Sequence, residues 1–151
     1  MRVGLSLLTL VPGISGGSET YARELCRALA RRGAHDYEAL VPTLAPDAGG
    51  GLEAVVATGY HASTSTPGRL AAMGAAAIRP GAAGRTLAQA DVVHYPLTVP
   101  VPPTDRPTAL TLLDVQHLDL PQLFPRGERL FRRLAYDRAA RRADQVIVIS
   151  E

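Results

Sequence analysis

The stretch VGLSLLTLVPGISGGSETYARELCRALARR, residues 3–32, decides the fold class because its hydrophobic period changes at a glycine-rich turn. Val3–Leu10 is an apolar run that ends before Pro12 and Gly13, which is typical of a central parallel strand covered on both faces. From Glu19 to Arg32, apolar side chains recur at helical spacing and arginines take the opposite face. The stretch therefore predicts a strand, a turn and a helix, the first half of a βαβ unit.

The ends of this helix also carry recognisable signals. Ser18 is a candidate N-cap, and Glu19 stands in the first turn, where the helix dipole favours a carboxylate. Arg31 and Arg32 fall in the last turn, and Gly33 is a candidate C′ residue.

Predicted strands and helices alternate along the rest of the chain. Further strands are predicted at Tyr37–Val41, Glu53–Thr58, Asp91–Tyr95, Thr108–Leu113 and Gln145–Ile149. Helices are predicted at Leu70–Ile78 and at Arg129–Arg142, and loops at Arg79–Arg85 and Leu118–Phe124. The inward residues predicted for the second helix are Leu130, Phe131, Leu134, Ala135 and Ala139. This order predicts an α/β fold with a Rossmann-like, doubly wound and mostly parallel sheet.

Composition excludes several classes of protein. The 151 residues are 46% hydrophobic and 20% charged, which is typical of one globular domain. A net charge of +2 is too small to indicate nucleic-acid binding, and the single Cys26 excludes a disulfide framework and a cysteine-clustered zinc site. No apolar run reaches the roughly 18 residues that span a bilayer. We expect a cytoplasmic protein.

The turn Pro12–Ser18 follows the first strand at the sheet edge where open α/β folds bind ligands. Its glycines allow close backbone approach, and free helix amides favour an anion such as a diphosphate. A tight turn without a ligand is the alternative. The spacing Gly13-x-x-Gly16-Gly17 does not match the dinucleotide fingerprint, and the chain has no Lys for a P-loop.

Polar residues follow two other predicted strands at the same edge. Asp114 can accept hydrogen bonds from sugar hydroxyls, and His117 can donate to a phosphate or hydroxyl. The alternative is that Asp114 only caps the next loop and that His117 lies on the surface. His94 and Tyr95 end another strand there. The trio of Asp114, His117 and Asp119 has metal-ligand types, but its spacing demands no metal.

The segment Arg126–Arg142 carries seven arginines against two carboxylates. A basic helix can lie on an anionic membrane surface. The sequence favours a solvated face with pairs such as Arg133 to Asp137, and peripheral contact with the inner membrane surface remains the alternative.

Three segments, in order, resemble the N-terminal half of a family 4 glycosyltransferase with the two-domain GT-B architecture. The first is similar to the family's Gly-Gly-x-Glu loop and helix, the second to its His-Asp-x-x-His segment, and the third to the stretch ending in Val-Ser-Glu. They occupy Gly16–Leu25, Leu113–His117 and Arg132–Glu151.

The resemblance implies retaining transfer of a sugar from a nucleotide-sugar donor to the hydroxyl of a glycan, lipid or small-molecule acceptor. It implies that Gly16, Gly17 and Ser18 bind the donor diphosphate and that Asp114 and His117 are catalytic. We place His94 and Tyr95 in the acceptor cleft. No cofactor and no metal are expected, because helix ends and basic side chains can neutralise the diphosphate.

Two departures from the family pattern matter. Leu113 stands where the family often has His before the Asp. A polar contact to the transferred sugar or its phosphate is therefore missing, or is made by another residue such as His117. The nucleotide-binding C-terminal domain is absent from residues 1–151, which we therefore expect to be the acceptor-side N-terminal domain, inactive as a fragment. The alternative is a non-catalytic module that binds an acceptor or pairs with a partner protein.

Overall fold

The computed structural model describes residues 1–14 and 16–149, which form strands and helices in regular alternation. Ser15 of the glycine loop and Ser150 and Glu151 at the end of the sequence, which match part of the family's Val-Ser-Glu pattern, lie outside the described residues. The elements in chain order are β1 (Arg2–Ser6), α1 (Gly17–Arg32), β2 (Asp36–Val41), β3 (Glu53–Val56), α2 (Thr66–Ile78), α3 (Gly81–Leu87), β4 (Val92–Tyr95), β5 (Thr108–Leu112), α4 (Gln116–Asp119), α5 (Arg126–Arg142) and β6 (Gln145–Val148).

The six strands make one sheet in the order β3-β2-β1-β4-β5-β6, and every neighbouring pair is parallel. The order grows outward in one direction from β1 to β3 and in the other from β4 to β6. This is the doubly wound arrangement, so the predicted α/β, Rossmann-like fold is confirmed. Because the order reverses between β1 and β4, the carboxyl ends of these two strands flank the topological switch point.

The central strand is covered on both faces, as its apolar run predicts. Leu5 is fully buried in a cluster with Ala22 and Cys26 of α1. On the opposite face, a Cβ placed on Gly4 would lie 3.1 Å from Leu87 of α3, so glycine allows this helix to approach closely. Burial raises the pKa of the Cys26 thiol to about 11, which leaves it an inert core side chain.

The first strand is shorter than the predicted Val3–Leu10. It ends at Ser6, and the chain then turns: the Leu7 amide donates to Leu40 O at 2.9 Å, and the Leu10 amide donates to Leu7 O at 2.9 Å. Leu7 and Leu10 remain fully buried in this turn. An apolar run indicates burial, and buried turn residues are as apolar as buried strand residues. The predicted end of the first strand at Leu10 was therefore wrong.

Two predicted loops contain helical turns. The first, Arg79–Arg85, mostly belongs to α3, because burial of Leu87 against the sheet outweighs the low helix propensity of Gly81 and Gly84. The second, Leu118–Phe124, holds the end of α4 and a 3-10 turn at Pro121–Leu123. Within the described ranges, no helix is long and apolar enough to cross a membrane.

Helix α5 is turned differently from the prediction. Leu130 and Leu134 are 59% and 63% exposed, Phe131 is 36% exposed, and Ala139 is buried. The helix has a second, narrower face formed by Tyr136 and Ala139, and that face packs inward. The inward orientation was predicted correctly for Ala139 and wrongly for Leu130 and Leu134.

Candidate functional site

A cavity of about 590 Å³ lies at the carboxyl ends of β1, β4 and β5. Its walls come from the loop after β1, the first turn of α1, one side of α2 and the first half of α5. This is the switch-point position where open α/β sheets bind ligands. We call it the switch-point cleft, and its polar lining residues include Thr9, Ser18, Arg69, Asp114, Arg132 and Tyr136.

The glycine loop enters α1 through an unusual backbone conformation. Gly16 is the N-cap residue, with φ 53° and ψ −130°, a combination that is strained for residues with a side chain. Its carbonyl accepts the Glu19 and Thr20 amides at 3.1 and 3.3 Å. The helix therefore begins at Gly17, and the predicted N-cap Ser18 lies one position inside the first turn, where its half-buried side chain lines the cleft.

The first amides of α1 are open to a ligand. Gly16 and Gly17 are exposed, and a Cβ on either would meet no atom within 4 Å. Among the residues that the structure describes, none accepts a hydrogen bond from the Gly17 or Ser18 amide. Unpaired first-turn amides and the helix dipole together favour an anion. The binding of the donor diphosphate by this loop stays a prediction.

Glu19 holds the loop to the helix. One carboxylate oxygen accepts the Gly13 amide at 2.9 Å, and the other accepts Arg23 Nε at 2.9 Å. The Gly13 hydrogen bond, followed by that from Arg23, lowers the pKa of Glu19. Arg23 in turn pairs with Asp47 at 2.9 Å. The sequence indicated only a dipole contact for Glu19 and gave no sign of this bridge across the loop.

Asp114 lies in the wall of the switch-point cleft, as predicted. Its Oδ1 accepts the Gln116 amide at 3.2 Å, so it also caps the following turn. The same oxygen lies 3.5 Å from Nη1 of Arg132. Arg132 is itself fixed, because its Nε donates to Glu128 at 3.0 Å and its guanidinium stacks 4.7 Å from the Phe124 ring centre. The Asp114 carboxylate that faces the cleft is therefore held in place, and Arg132 partly neutralises its charge.

His117 lies behind the cleft wall. It is buried, and its ring packs edge-on against Tyr136, with centroids 5.5 Å apart. Neither ring nitrogen has a hydrogen-bond partner in the described part of the chain. Tyr136 lines the cleft, so His117 reaches the site through this ring rather than directly. The alternative interpretation, a surface histidine, was wrong.

The structure places His94 and Tyr95 inside the sheet. His94 Nε2 lies 2.8 Å from Thr111 Oγ1, and burial lowers the pKa of His94 to about 4. The Tyr95 hydroxyl donates to Pro102 O at 2.6 Å and is buried, so burial raises its pKa. Neither side chain lines the switch-point cleft. They anchor strand β5 and the proline-rich segment beside the cleft.

Two further cleft residues were not singled out from the sequence. Arg69 projects from α2 into the lining, and no carboxylate lies within ion-pair distance of it among the described residues. Tyr136 comes from α5, and burial raises the pKa of its hydroxyl. Both belong to helices whose placement over the sheet edge is a tertiary property. No group of three potential metal-ligating side chains occurs in residues 1–14 and 16–149.

A doubly wound parallel sheet with an exposed glycine loop at its switch-point cleft defines a class of ligand-binding α/β domain. Within that class, the family model described as Glycosyltransferase Family 4 matches residues 15–151. The chain belongs to this glycosyltransferase family, which confirms the resemblance seen in its sequence. No curated protein and no solved structure shows a significant match to it.

Proposed function

We propose that this chain is the acceptor-side domain of a retaining glycosyltransferase that uses a nucleotide-sugar donor. The observation that carries the proposal is the pair of Gly17 and Ser18 amides, which have no partner among the described residues and start the helix whose Ser18 lines the switch-point cleft. Preorganised amides stabilise charge that develops on a leaving group, here the donor diphosphate. Family membership supports glycosyl transfer as the reaction.

In the proposed reaction, the bond between the anomeric carbon and the diphosphate oxygen breaks as the acceptor oxygen bonds to that carbon on the same face. The acceptor proton passes to the departing diphosphate, so the step is balanced without a protein nucleophile. The Gly17 and Ser18 amides hold the diphosphate, and Asp114 accepts a hydrogen bond from a sugar or acceptor hydroxyl. His117 supports this wall through its contact with Tyr136.

The proposal also requires a second surface that binds the nucleotide. In this proposal a separate nucleotide-binding domain supplies that surface, and residues 1–151 alone do not turn over. The competing proposal is that residues 1–151 have no catalytic role and only bind an acceptor or pair with a partner protein.

The two proposals are separated by assaying the chain together with any sequence encoded in frame after Glu151. With a panel of nucleotide sugars and acceptors, the enzyme releases nucleoside diphosphate only when an acceptor is present. Gly17→Val abolishes this release because its side chain fills the anion position. Acceptor-dependent release that survives Gly17→Val contradicts the proposed role of the loop, and no release from any donor supports the binding module.

Gly59→Val is the matched control. Gly59 also has open space at its Cβ position and lies in a different cavity, between β3 and α2. We expect Gly59→Val to release nucleoside diphosphate at the unmodified rate.

A further inference from the structure

The outward side of α5 combines apolar and basic side chains without any cover. Leu130 and Leu134, the two leucines of this helix, are 59% and 63% exposed. Positions three, four and seven apart share one face of a helix. By that spacing, exposed arginines surround the two leucines. We call this surface the α5 outer face; it consists of Arg126, Leu130, Arg133, Leu134, Arg138 and Arg141, with the exposed carboxylate of Asp137 among them.

The charge on this helix is not balanced by the protein. α5 holds seven arginines against Glu128 and Asp137, a net charge of +5, whereas the whole chain carries +2, so the remaining residues sum to −3. Within the described ranges, Arg132 is the only α5 arginine in an ion pair, and it points inward to Asp114 and Glu128. The Arg133 to Asp137 pair, which a solvated face was expected to show, does not form.

We propose that the α5 outer face binds an anionic membrane surface. Leucines at this position can enter the boundary between headgroups and acyl chains while flanking arginines meet lipid phosphates. The planar guanidinium suits bidentate contact with a phosphate. The proposal commits to a bilayer because its surface offers phosphates to the arginines and an apolar boundary to Leu130 and Leu134.

Charge disfavours the other occupants of this face. A second copy meeting it symmetrically would bring two strongly basic helices together, and like charges across an interface are repulsive. A nucleic-acid duplex would satisfy the arginines but leave Leu130 and Leu134 in water. A solvated face alone does not account for two exposed leucines among unpaired arginines.

The position of α5 relates the proposed membrane contact to the switch-point cleft. Phe131 and Arg132 line the cleft from the same helix that carries the outer face. A bilayer under α5 would therefore lie beside the cleft, although the membrane contact does not depend on the proposed sugar transfer.

The test is co-sedimentation of the chain with lipid vesicles. We expect it to bind phosphatidylcholine vesicles containing about one-third phosphatidylglycerol, but not pure phosphatidylcholine vesicles. The triple variant Arg133→Gln, Arg138→Gln, Arg141→Gln should lose at least about tenfold in apparent vesicle affinity. The matched variant Arg31→Gln, Arg32→Gln, Arg85→Gln removes the same charge from exposed positions elsewhere and should bind as the unmodified chain does.

A fluorescence measurement separates surface contact from nonspecific attraction. The chain has no Trp, so Leu134→Trp places a single reporter on the outer face, and its emission should shift to the blue on anionic vesicles. Ile78→Trp, at a position that is 81% exposed on α2, should not shift. The proposal is overturned by equal affinity losses in the two arginine variants, by identical shifts in the two reporters, or by a dimer in solution that Leu134→Ser dissociates.

Discussion

The carboxylate of Glu19 accepts the amide of Gly13 at 2.9 Å, joining the two ends of the glycine loop across six positions of the chain. This contact holds the loop in a conformation in which no described residue accepts a hydrogen bond from the Gly17 or Ser18 amide. The helix dipole and the neighbouring Arg23 both favour the ionised form of this carboxylate. Glu19 therefore acts as a positioning residue for the anion-binding backbone.

Ionisation of Glu19 should control whether its carboxylate forms the hydrogen bond with the Gly13 amide that bridges the glycine loop. Because the folded pKa lies below the ordinary value of 4.5, the bridge is present above that value and is lost as pH falls through the lower, folded value. In a nuclear magnetic resonance titration, the Gly13 amide shift should report a midpoint below 4.5. A midpoint at or above 4.5 contradicts the bridge. Glu24→Ala, which removes another α1 carboxylate, should leave this midpoint unchanged.

Buried His94 should make the fold sensitive to mild acid. Its folded pKa of about 4 lies below the ordinary 6.5, so the unfolded chain takes up a proton before the folded one does. Stability is therefore lost as pH falls from about 6.5 to 4, by up to about 3 kcal/mol. Denaturant unfolding at several pH values should show this loss in the unmodified chain and much less of it in His94→Gln.

The control for His94 is His61→Gln, which changes an exposed imidazole and should keep the unmodified pH dependence. If the unfolding free energies of His94→Gln and the unmodified chain run parallel between pH 6.5 and 4, His94 is not the neutral core side chain described above.

The spacing of apolar residues predicted which segments form strands and helices, because that spacing depends on local structure. The change of period at the glycine turn placed β1 and α1 correctly, because a buried strand and an amphipathic helix each leave their own spacing in the sequence. The same signals failed at Ser6, where buried turn residues continue the apolar run. They also failed at Leu130 and Leu134, since α5 has two apolar faces and only the tertiary structure selects one.

The residues of the candidate site also fall into those that the sequence placed there correctly and those that it did not. Gly17 and Ser18 begin the helix that follows β1, and Asp114 lies two residues after β5. The carboxyl ends of parallel strands meet at one edge, so the sequence was able to bring these residues together. Arg69 and Tyr136 reach the cleft from the middle of helices, and nothing in their local sequence indicates which way those helices point. His94 and Tyr95 end a strand at the right edge, but their side chains turn into the sheet.

The central claim, that the first amides of α1 bind a diphosphate, is tested most directly by a nuclear magnetic resonance titration of the chain with inorganic diphosphate. We predict saturable shifts of the Gly17 and Ser18 amides, no shift of the Gly59 amide, and loss of the Ser18 response in Gly17→Val. If the Gly17 and Ser18 amides stay unmoved while the α5 arginines respond, the anion binds elsewhere and the account of the glycine loop is contradicted.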